Sequence, residues 1–417
     1  MEETAATRAP RVALLFTRYP VSTETFLHRE VDALKALGGR WDVLSLWPLP
    51  EAAPERRADH AFGYAHLFLL FWWIPYWAIL KPRAMRRIAE SILSARAPNP
   101  VNFLENLLGL GYALVRARAM AKRYTHTHAV WASAPAAAAW ALHELVGLPY
   151  SMAGHAYDLY EDGGDGWLEV KLKEAAFIRT STEAGIRRWR QLGAAASRLV
   201  VIRRGLPELP PFIERPPPRP PYTLLAVGRM VEKMGYRQLL EVLDRLRREG
   251  VSFRATLVGR GPLLGAIRQR CVDLGLEEEV SFAGGLSYPQ VEACYRQADL
   301  FLFTGVIARS GDRAGFPNAI GEAMAWGVPV CATPVGAVSE GIIDGQTGLL
   351  VRTPAEAAKK VQALLRSPLD YERIRSEARH WAEENFDAGA NMGTFAEILF
   401  KAHRQSRGGD AGSRKGR

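Results

Sequence analysis

The chain has 417 residues, of which 48% are hydrophobic and 24% charged, and its formal net charge is +10. This length fits two domains of about 200 residues each, and the composition excludes wholesale disorder. The charge favours acidic partners in general, namely anionic lipid, nucleic acid or phosphorylated substrates. Three cysteines, Cys271, Cys294 and Cys331, show no paired spacing, which argues against a disulfide framework or zinc site and favours a reducing cytoplasm.

The first half begins with the pattern of a parallel α/β domain. The residues from Met1 to Phe16 start acidic and contain only a short apolar run, so no secretion signal is predicted. Residues 22–39 have apolar side chains at helical spacing, with Ser22 or Thr23 as the cap and Gly38 as the stop. Short apolar or β-branched runs predict strands at 11–17, 41–47, 127–133 and 150–154.

An aromatic run and a basic segment follow the second strand. Leu67 to Leu80 is the longest apolar stretch, but at 14 residues with an internal proline it is too short to span a bilayer. Lys81 to Arg123 then holds nine Lys and Arg against two Glu. Two interpretations stay open: a core segment followed by a solvated basic helix face, or a surface lying in the lipid interface. The membrane contacts would be Trp72, Trp73, Trp77, Lys81, Arg83, Arg86 and Arg87.

A proline-rich stretch, Leu206 to Tyr222, predicts a linker, because proline continues neither a helix nor a central strand. Beyond it, residues 236–250 carry leucines on one helical face. Strands are predicted at 222–228, 253–259, 280–284, 298–303 and 327–333. The alternation of strands and helices in both halves predicts two doubly wound domains that bind ligand at the carboxyl ends of their strands. No nucleic-acid reading motif is present, so no nucleic-acid partner is predicted.

Three strand-to-helix junctions in the second half have the composition of a phosphate site, because glycine turns and helix amino termini present N–H groups to anions. A glycine after a strand is by itself more simply a turn, so the prediction depends on all three together. They are "AVGRMVEKMG" with Gly228, Arg229 and Lys233, "LVGRGPL" with Gly259 and Gly261, and "AGFPNAIGEAM" with Gly315 and Asn318.

Longer motifs surround these junctions. They include "VGRMVEKMGY", "VSFAGGLSYPQVEACYRQADLFLF" and "GDRAGFPNAIGEAMAWGVPVCATPVGAVSEGIIDGQTGLLV", with "TRYPVSTETFLHREVDAL" and "SMAGHAYDLY" in the first half. With these motifs the chain resembles the family 4 retaining glycosyltransferases of the GT-B fold, which has two Rossmann-like domains facing a cleft. The likeness runs from about Arg11 to about His403, and it is greatest to the colanic-acid-type branch that builds exopolysaccharide and lipopolysaccharide.

The resemblance implies a nucleotide-diphosphate sugar as donor, no cofactor and no metal, and a lipid-linked or oligosaccharide acceptor at an anionic membrane surface. In this family's pattern Arg229 lies on the diphosphate, Glu322 holds the ribose hydroxyls, and His155 faces the donor sugar near the reacting carbon. The further donor-binding residues would be Gly228, Lys233, Gly259, Gly261, Gly315, Phe316, Pro317, Asn318 and Glu340.

The chain departs from the family at two marked positions. Ala314 stands where the family has an acidic residue, and Met234 stands where it has a lysine. Neither Ala314 nor Met234 carries the charge of the family residue at its position. Lys233, in an irregular turn, and Asp312 are the nearby candidates to take over these roles.

Simpler interpretations of the site residues stay open. His155 fits a hydrogen-bonded core histidine, and Glu322 fits a surface carboxylate on a helix. Arg229 has Glu232 and Glu340 as candidate ion-pair partners. Asp158 and Asp162 are predicted to lie in a mobile cleft loop rather than in a metal site, since they lack a full coordination pattern.

Two functions follow. The first is a retaining transferase, a peripheral protein at the inner face of the cytoplasmic membrane, that moves a sugar onto a lipid-linked or polysaccharide acceptor in cell-envelope biosynthesis. The second is a catalytically impaired GT-B protein that acts as a partner or scaffold of an active transferase. The predicted organisation is an acceptor-side domain at 1–206, a linker at 207–221, a donor domain at 222–385, a helix at 386–405 that crosses back, and a disordered basic tail at 406–417.

Overall fold

Two parallel sheets, each covered by helices, organise the chain. The computed structural model describes residues 10–21, 24–47, 58, 60–94 and 99–413. Its first unit comprises the chain up to Ile202 together with the residues from Gly389 onward, and the second runs from Arg203 to Ala388. The division therefore falls a few residues before the predicted boundary at 206.

The first unit alternates strands and helices up to residue 201. Its elements are β1 (Arg11–Arg18), α1 (Thr25–Ala36), β2 (Arg40–Trp47), β3 (His60–Ala61), α2 (Leu70–Leu80), α3 (Pro82–Ser94), α4 (Pro100–Arg123), β4 (His126–Ala129), α5 (Ala134–Val146), β5 (Tyr150–Ala153), α6 (Tyr157–Tyr160), α7 (Leu168–Lys173), β6 (Ile178–Thr180), α8 (Glu183–Gln191) and β7 (Leu199–Val201). A 3-10 helix at Tyr64–Leu69 leads into α2.

The second unit repeats the pattern. Its elements are β8 (Tyr222–Val227), α9 (Tyr236–Arg248), β9 (Phe253–Val258), α10 (Leu264–Asp273), β10 (Val280–Gly284), α11 (Tyr288–Gln297), β11 (Leu300–Phe303), α12 (Asn318–Ala325), β12 (Val330–Ala332), β13 (Leu349–Leu350), α13 (Pro354–Leu365) and α14 (Pro368–Asn385). Two 3-10 turns, Glu232–Met234 and Val338–Glu340, lie within it. The last helix, α15 (Ala388–Ser413), belongs almost wholly to the first unit.

Both sheets have the strand order of doubly wound folds. The first is β3-β2-β1-β4-β5-β6-β7 and the second is β10-β9-β8-β11-β12-β13, and neighbouring strands in each are parallel. In each sheet the chain adds strands on one side of β1 or β8 first and then on the other side. The crossovers on the two sides leave in opposite directions and open a crevice at the carboxyl ends of the strands. The predicted strand at 127–133 is shorter in the structure, because the chain leaves the sheet after Ala129.

Burial on both faces explains why these strands are almost continuously apolar. Along β1, Val12 and Leu14 belong to the core on one face, and Ala13 and Leu15 belong to the core on the other. Successive side chains of a strand point to opposite faces, so a strand covered by helices on both sides needs apolar residues at every position. In the second unit, Leu224 and Leu225 divide in the same way.

The proline-rich stretch predicted to be a linker is part of the second unit. Arg375 on α14 donates a hydrogen bond to the carbonyl of Ile213, and its guanidinium lies 4.5 Å from the ring centre of Phe212. Arg379, one turn later, donates to the carbonyl of Pro210 at 2.5 Å. Residues 207–221 form no helix or strand, but their carbonyls and rings still pack on a neighbouring helix, and their role as a linker stays a prediction.

Two predictions at helix ends need correction or lie outside the described residues. Ser22 and Thr23 are outside them, and α1 begins after Glu24 without a side-chain cap. The tail predicted to be disordered is helical up to Ser413, because α15 continues into it. Extending a packed helix is much less costly than starting one, so a glycine-rich, polar segment can follow it.

Two buried histidines lie side by side in the first sheet. His126 is fully buried and His128 is 1% exposed, and both share a hydrogen bond with the Ser151 hydroxyl, at 2.9 and 2.8 Å. Burial penalises the charged imidazolium, which lowers the pKa of His126 to about 3 and the pKa of His128 well below its usual value.

We expect acid to destabilise the protein through these histidines. Between the lowered folded pKa and the ordinary unfolded pKa near 6.5, the unfolded chain binds a proton that the folded chain does not. The free energy of unfolding should therefore fall by about 1.4 kcal/mol per pH unit for each histidine as the pH drops below about 6. Urea unfolding at several pH values should show a shallower fall for His126→Gln. The matched control, His380→Gln at a surface position, should keep the wild-type pH dependence, and an unchanged profile for His126→Gln would contradict the prediction.

Candidate functional site

Backbone packed against backbone builds the carboxyl end of the second sheet. The loops after β8 and β9 touch at Gly228 and Gly259, where a Cβ on Gly259 would lie 1.9 Å from the Gly228 carbonyl oxygen. Gly259 has a φ of +144°, which a residue with a side chain rarely adopts. Gly261 packs equally closely on Met230, whose N–H donates to the Arg260 carbonyl at 2.9 Å. The predicted glycines thus hold two loops in direct contact.

The loop after β8 meets the loop after β11 in the same way. A Cβ on Gly235 would lie 1.7 Å from the Thr304 carbonyl oxygen, and the Thr304 hydroxyl donates to the Gly235 carbonyl at 2.8 Å. The loop after β12 joins them at Gly336, which packs on the Ala314 carbonyl. Four strand-end loops therefore form one continuous surface at the switch point of the sheet.

Two arginines stand on this surface. Arg229 and Arg260 are both exposed and lie on the adjoining loops after β8 and β9. The alternative that Arg229 pairs with Glu232 is wrong, since Glu232 holds Arg309 at 3.4 Å. Within the described part of the chain, the Arg229 side chain makes no hydrogen bond or ion pair. It remains available to an anion.

The two candidate replacement residues pair with each other. Lys233 donates to Oδ2 of Asp312 at 2.6 Å, and both side chains are largely buried, at 21% and 14% exposed. Lys233 lies in the 3-10 turn Glu232–Met234, and the irregular turn directs it towards the loop after β11. Oδ1 of Asp312 is buried and has no hydrogen-bond partner among the described residues. One lone carboxylate oxygen is thus held at the site beside a neutralised cation.

The two altered positions are filled by apolar packing. Met234 packs on both cores of the second unit. Its Cε fills the space beside Gly228, where it would lie only 2.3 Å from an added Cβ. Ala314 is 8% exposed and belongs to the core beneath α12. Neither position has a charge, so the polar chemistry of the site lies on Lys233 and Asp312 instead.

Helix α12 presents its amino end after the predicted loop Gly315 to Pro317. Pro317 is the N-cap residue, and Phe316 packs on Trp381 with ring centres 5.1 Å apart. The Oδ1 atom of Asn318, the first helical residue, is buried without a hydrogen-bond partner among the described residues. This end of the helix combines unpaired polar atoms with the positive end of the helix dipole.

Glu322 is one turn into α12 and is buried, at 6% exposed. The Tyr295 hydroxyl donates to its Oε2 at 3.1 Å. The interpretation of Glu322 as a surface carboxylate is therefore wrong. Glu340, the other predicted carboxylate, is partly exposed at the end of the turn Val338–Glu340.

In the first unit, His155 follows β5 and is 4% exposed. Its ring contacts Trp131 and Phe26 edge to face, with ring centres 5.5 and 6.4 Å apart. Its backbone N–H donates to Asp158 at 3.0 Å. The histidine is thus fixed in an aromatic setting at a strand end, and its predicted role towards a donor sugar stays a prediction.

The loop predicted to be mobile is anchored by Asp158, which is 1% exposed. Its carboxylate accepts hydrogen bonds from the N–H groups of His155, Ala156 and Ala132 at 2.8 to 3.3 Å. Burial raises the pKa of Asp158, and these backbone donors oppose the rise. Asp162 is exposed and accepts only a 3.3 Å bond from Asn99 among the contacts described for its side chain. The prediction of a mobile loop was therefore wrong at Asp158.

The predicted membrane segment divides into buried and exposed parts. Trp77 is 1% exposed and donates to the Leu114 carbonyl at 2.7 Å, so its predicted membrane contact is wrong. Trp73 is half-buried and stacks on Trp77, whereas Trp72 is 71% exposed. The helical period explains this division, because Trp73 and Trp77 are four residues apart and share a face, whereas Trp72 points about 100° away from Trp73.

The basic residues after this run are all on the surface. Lys81, Arg83, Arg86 and Arg87 are exposed; Arg86 pairs with Glu90 at 2.7 Å and Arg87 with Glu144 at 2.5 Å. Within the described residues, no helix combines the length and apolar composition that crossing a bilayer requires.

Sequence reasoning missed residues that fix the site from behind. Tyr295 reaches Glu322 from α11, and Tyr236 donates to the Gly228 carbonyl at 2.8 Å. Lys171 is fully buried and pairs with Asp165 at 2.6 Å in the first unit. Each lies in an ordinary amphipathic helix, and no spacing in the chain marks the contact, which is set by tertiary packing.

We expect Asp158→Ala to destabilise the first unit, because it leaves two buried N–H groups and one partly buried N–H group without their acceptor. The loss should be about 1–3 kcal/mol of unfolding free energy, measured by urea denaturation. The matched control in the same loop, Asp162→Ala, should change it by less than about 0.5 kcal/mol. Equal effects of the two substitutions would show that Asp158 does not anchor the loop.

Comparison with known proteins finds a family model that is similar to part of the second unit. Residues 221–367 match the family model described as "Glycosyl transferases group 1". WcaL of Escherichia coli, named for a colanic acid biosynthesis glycosyltransferase, is 30% identical over 217 residues, 51% of this chain and 53% of that protein. The GDP-mannose-dependent α-(1-6)-phosphatidylinositol monomannoside mannosyltransferase of Mycolicibacterium smegmatis is 31% identical over 179 residues, 42% of this chain and 47% of that protein. The matched segment thus spans about half the length of these relatives.

Solved structures extend the likeness to both units. The crystal structure of HepE from Anabaena in complex with UDP and glucose has a TM-score of 0.68 at 18% identity, and the match covers 94% of this chain and 99% of HepE. At this identity the match shows the fold alone. The predicted GT-B fold is confirmed, and residues 221–367 are similar to the glycosyltransferases of group 1, in line with the resemblance in the sequence.

Proposed function

We propose that this chain is a retaining glycosyltransferase that moves a sugar from a nucleotide-diphosphate sugar to a lipid-linked or polysaccharide acceptor in exopolysaccharide or cell-envelope biosynthesis. The observation that carries the proposal is the joined loop surface at the switch point of the second sheet. It combines the unpaired Arg229, the amino end of α12 and the buried Glu322. The UDP and glucose bound to HepE and the names of the relatives support the same class of donor.

The chemistry follows from the charge that develops when the donor breaks. Cleavage of the bond between sugar and diphosphate leaves negative charge on the phosphates, and cations fixed nearby stabilise it. Arg229 and Lys233 would supply these cations, aided by the N–H groups at the start of α12. Glu322, held by Tyr295, would accept hydrogen bonds from the ribose hydroxyls. His155, from the first unit, would contact the donor sugar.

The Lys233–Asp312 ion pair gives this site two states. Without donor, Asp312 neutralises Lys233 at 2.6 Å. A bound diphosphate would compete for the Lys233 ammonium. The displaced Asp312 carboxylate could then accept hydrogen bonds from sugar hydroxyls. Lys233 and Asp312 would thus supply the charges that Met234 and Ala314 lack.

The second candidate is a catalytically impaired protein that acts as a partner or scaffold. Met234 and Ala314 favour it, because both are packed in apolar cores and carry no charge to the site. In this case the ion pair between Lys233 and Asp312 would be a structural link between two loops.

Calorimetric titration of the folded protein with UDP, GDP and ADP tests the donor site. We expect one nucleotide to bind clearly, and Glu322→Ala to weaken it about tenfold or more, equivalent to at least about 1.4 kcal/mol, because the ribose loses a buried acceptor. Absence of binding by all three nucleotides to a folded sample would contradict the proposal and favour the scaffold.

Variants of the ion pair separate the two candidates in the same titration. Asp312→Asn should strengthen binding of the preferred nucleotide severalfold, because it removes the anion that competes for Lys233, yet it should slow sugar transfer. The matched control is Glu232→Gln, which breaks the exposed Glu232–Arg309 pair between the same two loops and should change neither quantity. If Asp312→Asn behaves like this control, the ion pair is only a structural link.

The exposed part of the aromatic run supports a peripheral membrane location. Phe68, Phe71, Trp72 and Ile79 are 71% to 83% exposed, and the basic residues from Lys81 onward lie next to them in the chain. Large exposed aromatics beside lysine and arginine suit the headgroup region, where rings enter the interface and cations meet phosphates. The inner face of the cytoplasmic membrane is the location we propose.

Co-sedimentation with vesicles tests this surface. We expect binding to vesicles that contain phosphatidylglycerol, weaker binding to neutral ones, and a loss of several-fold in Phe71→Ser/Trp72→Ser, because the apolar anchors are removed. The control Leu369→Ser removes an equally exposed leucine, 86% exposed, from the second unit and should bind like the wild type. Vesicle binding that depends neither on lipid charge nor on the aromatic substitutions would contradict the membrane proposal.

A further inference from the structure

The first unit contains a cavity of about 830 Å³ that the donor-site residues do not line. Its walls are mostly apolar: Leu67 and Leu70 come from the segment leading into α2, and Leu104, Leu107 and Leu108 come from α4. Trp131 and Tyr157 also line it, at the carboxyl end of the first sheet. This volume and lining suit a hydrocarbon chain or another elongated apolar group.

A second, polar cavity of about 140 Å³ adjoins the first, and the two share Val101, Glu105 and Tyr157 as lining residues. The polar cavity is otherwise lined by amide and acidic side chains, with two further carboxylates at Glu161 and Asp165. Such groups accept hydrogen bonds from hydroxyls. One continuous site thus has an apolar end and a hydroxyl-binding end.

Glu105 stands at the junction and is the group whose partner is missing. It makes no hydrogen bond to another described residue, and its side chain is half-buried at the cavity wall. Burial raises the pKa of its carboxyl group, and the nearby Asp165 raises it further, while Arg18 opposes the rise. Its carboxyl oxygens are therefore available to accept hydrogen bonds from a ligand hydroxyl in the cavity.

The polar wall behind Glu105 is rigid. Lys171 donates to Asp165 at 2.6 Å and to Asn106 at 2.7 Å, and Asn102 donates to Asp165 at 2.8 Å. These groups satisfy one another and hold α4 against α7. Glu105 therefore remains as the polar group at the junction whose hydrogen bonds are not already used within the described network.

The site is close to the predicted reacting residue at one end and to the exposed aromatics at the other. Trp131, which lines the apolar cavity, contacts the His155 ring at 5.5 Å. At the other end, Val101 and Leu104 line the cavity while being 65% and 63% exposed, and Leu70 is followed directly by the exposed Phe71. An amphiphile could therefore enter from the surface that we propose to lie on the membrane.

We propose that these adjoining cavities bind the acceptor as a single amphiphile, a lipid-linked saccharide, with its hydrocarbon chain among the leucines of α4 and its sugar hydroxyls on Glu105. The identification of this ligand as the acceptor rests on the proposed function, whereas the prediction that the cavities bind an amphiphile does not. Asp165 is already paired with Lys171, and the remaining carboxylates of Glu105 and Glu161 disfavour an anionic group at the polar end, so a sugar rather than a phosphate occupies it. This choice favours the lipid-linked acceptor over the free polysaccharide.

Calorimetric titration with octyl β-glucoside, below the concentration at which it forms micelles, tests the site. We expect saturable binding, at least tenfold tighter than that of glucose or octyl phosphate, because only the glucoside fills both ends without adding negative charge. Octyl phosphate binding as tightly as the glucoside would overturn the assignment of the polar end. Equal binding of glucose would overturn the role of the apolar end, and absence of glucoside binding would overturn the site.

Variants locate the binding. Leu104→Asp places a charge on an exposed wall residue and should weaken the glucoside at least tenfold, whereas Leu369→Asp on the second unit should not. Glu105→Gln keeps the shape and retains a hydrogen-bonding amide, so it should weaken binding less than Glu105→Leu. If Leu104→Asp and Glu105→Leu bind as the wild type does, the ligand lies elsewhere and the proposal fails.

Nucleotide titration of the same variants keeps this proposal separate from the donor site. Leu104→Asp and Glu105→Leu should bind the preferred nucleotide as the wild type does, and their urea unfolding should show that the first unit is still folded. Loss of glucoside binding with nucleotide binding intact supports the cavity. Nucleotide binding absent from every sample, with glucoside binding retained, would remove the proposed donor function and leave the cavity standing.

Discussion

Direct contact between backbones at the carboxyl end of the second sheet is the constraint on which the candidate donor site depends. Gly259 meets the Gly228 carbonyl, Gly235 meets that of Thr304, and Gly336 meets that of Ala314, each at a distance that a Cβ would not allow. These contacts leave the loops little freedom to move apart or slide, since interiors are close-packed and respond to a single added carbon. The geometry of the site is therefore fixed by the absence of side chains, while its chemistry is set by the few side chains that project from it.

Because these contacts fix the backbone of the site, its charged side chains can stand at other positions than in the family pattern without loss of the fold. Met234 fills the space beside Gly228, and Ala314 packs beneath α12, so both positions serve the core. Lys233 and Asp312 lie within two residues of them and carry the complementary charges. Because the two form an ion pair at 2.6 Å, neither is left alone in a partly buried place, which would be costly. Moving both partners together preserves the balance of charge. A site changed in this way differs from one in which only a single partner is lost, because the groups that could bind a donor are still present.

The sequence was sufficient to predict those parts of the fold and of the site that depend on local residue patterns. Strand and helix alternation predicted two doubly wound units, and the glycine junctions identified loops that do come together. It was insufficient where packing on a distant segment decides the outcome. Arg375 binds the proline-rich stretch from more than 150 residues away, and Trp77 turns inward to Leu114 although its neighbour Trp72 turns outward. The pairing of Lys233 with Asp312 was foreseen only as two separate candidates. No spacing rule predicts that two loops will bring these residues to hydrogen-bonding distance.

Helix α4 shows how one element can serve both the fold and a ligand. One face packs on α5 so closely that a Cβ on Gly109 would lie 2.2 Å from the Ala134 carbonyl oxygen, which leaves the helix no freedom to withdraw. Leu104, five residues before Gly109, points away from α5 and is 63% exposed, while Glu105 lines the polar cavity. Glu105 makes no hydrogen bond to another described residue, and partial burial raises the pKa of its carboxyl group. Asp165 of the Lys171–Asp165 pair adds to this rise and Lys171 opposes it, and the pair satisfies none of the hydrogen bonds of Glu105. The first unit thus has a defined place for a hydroxyl-bearing ligand on a helix too constrained to remove the need for one.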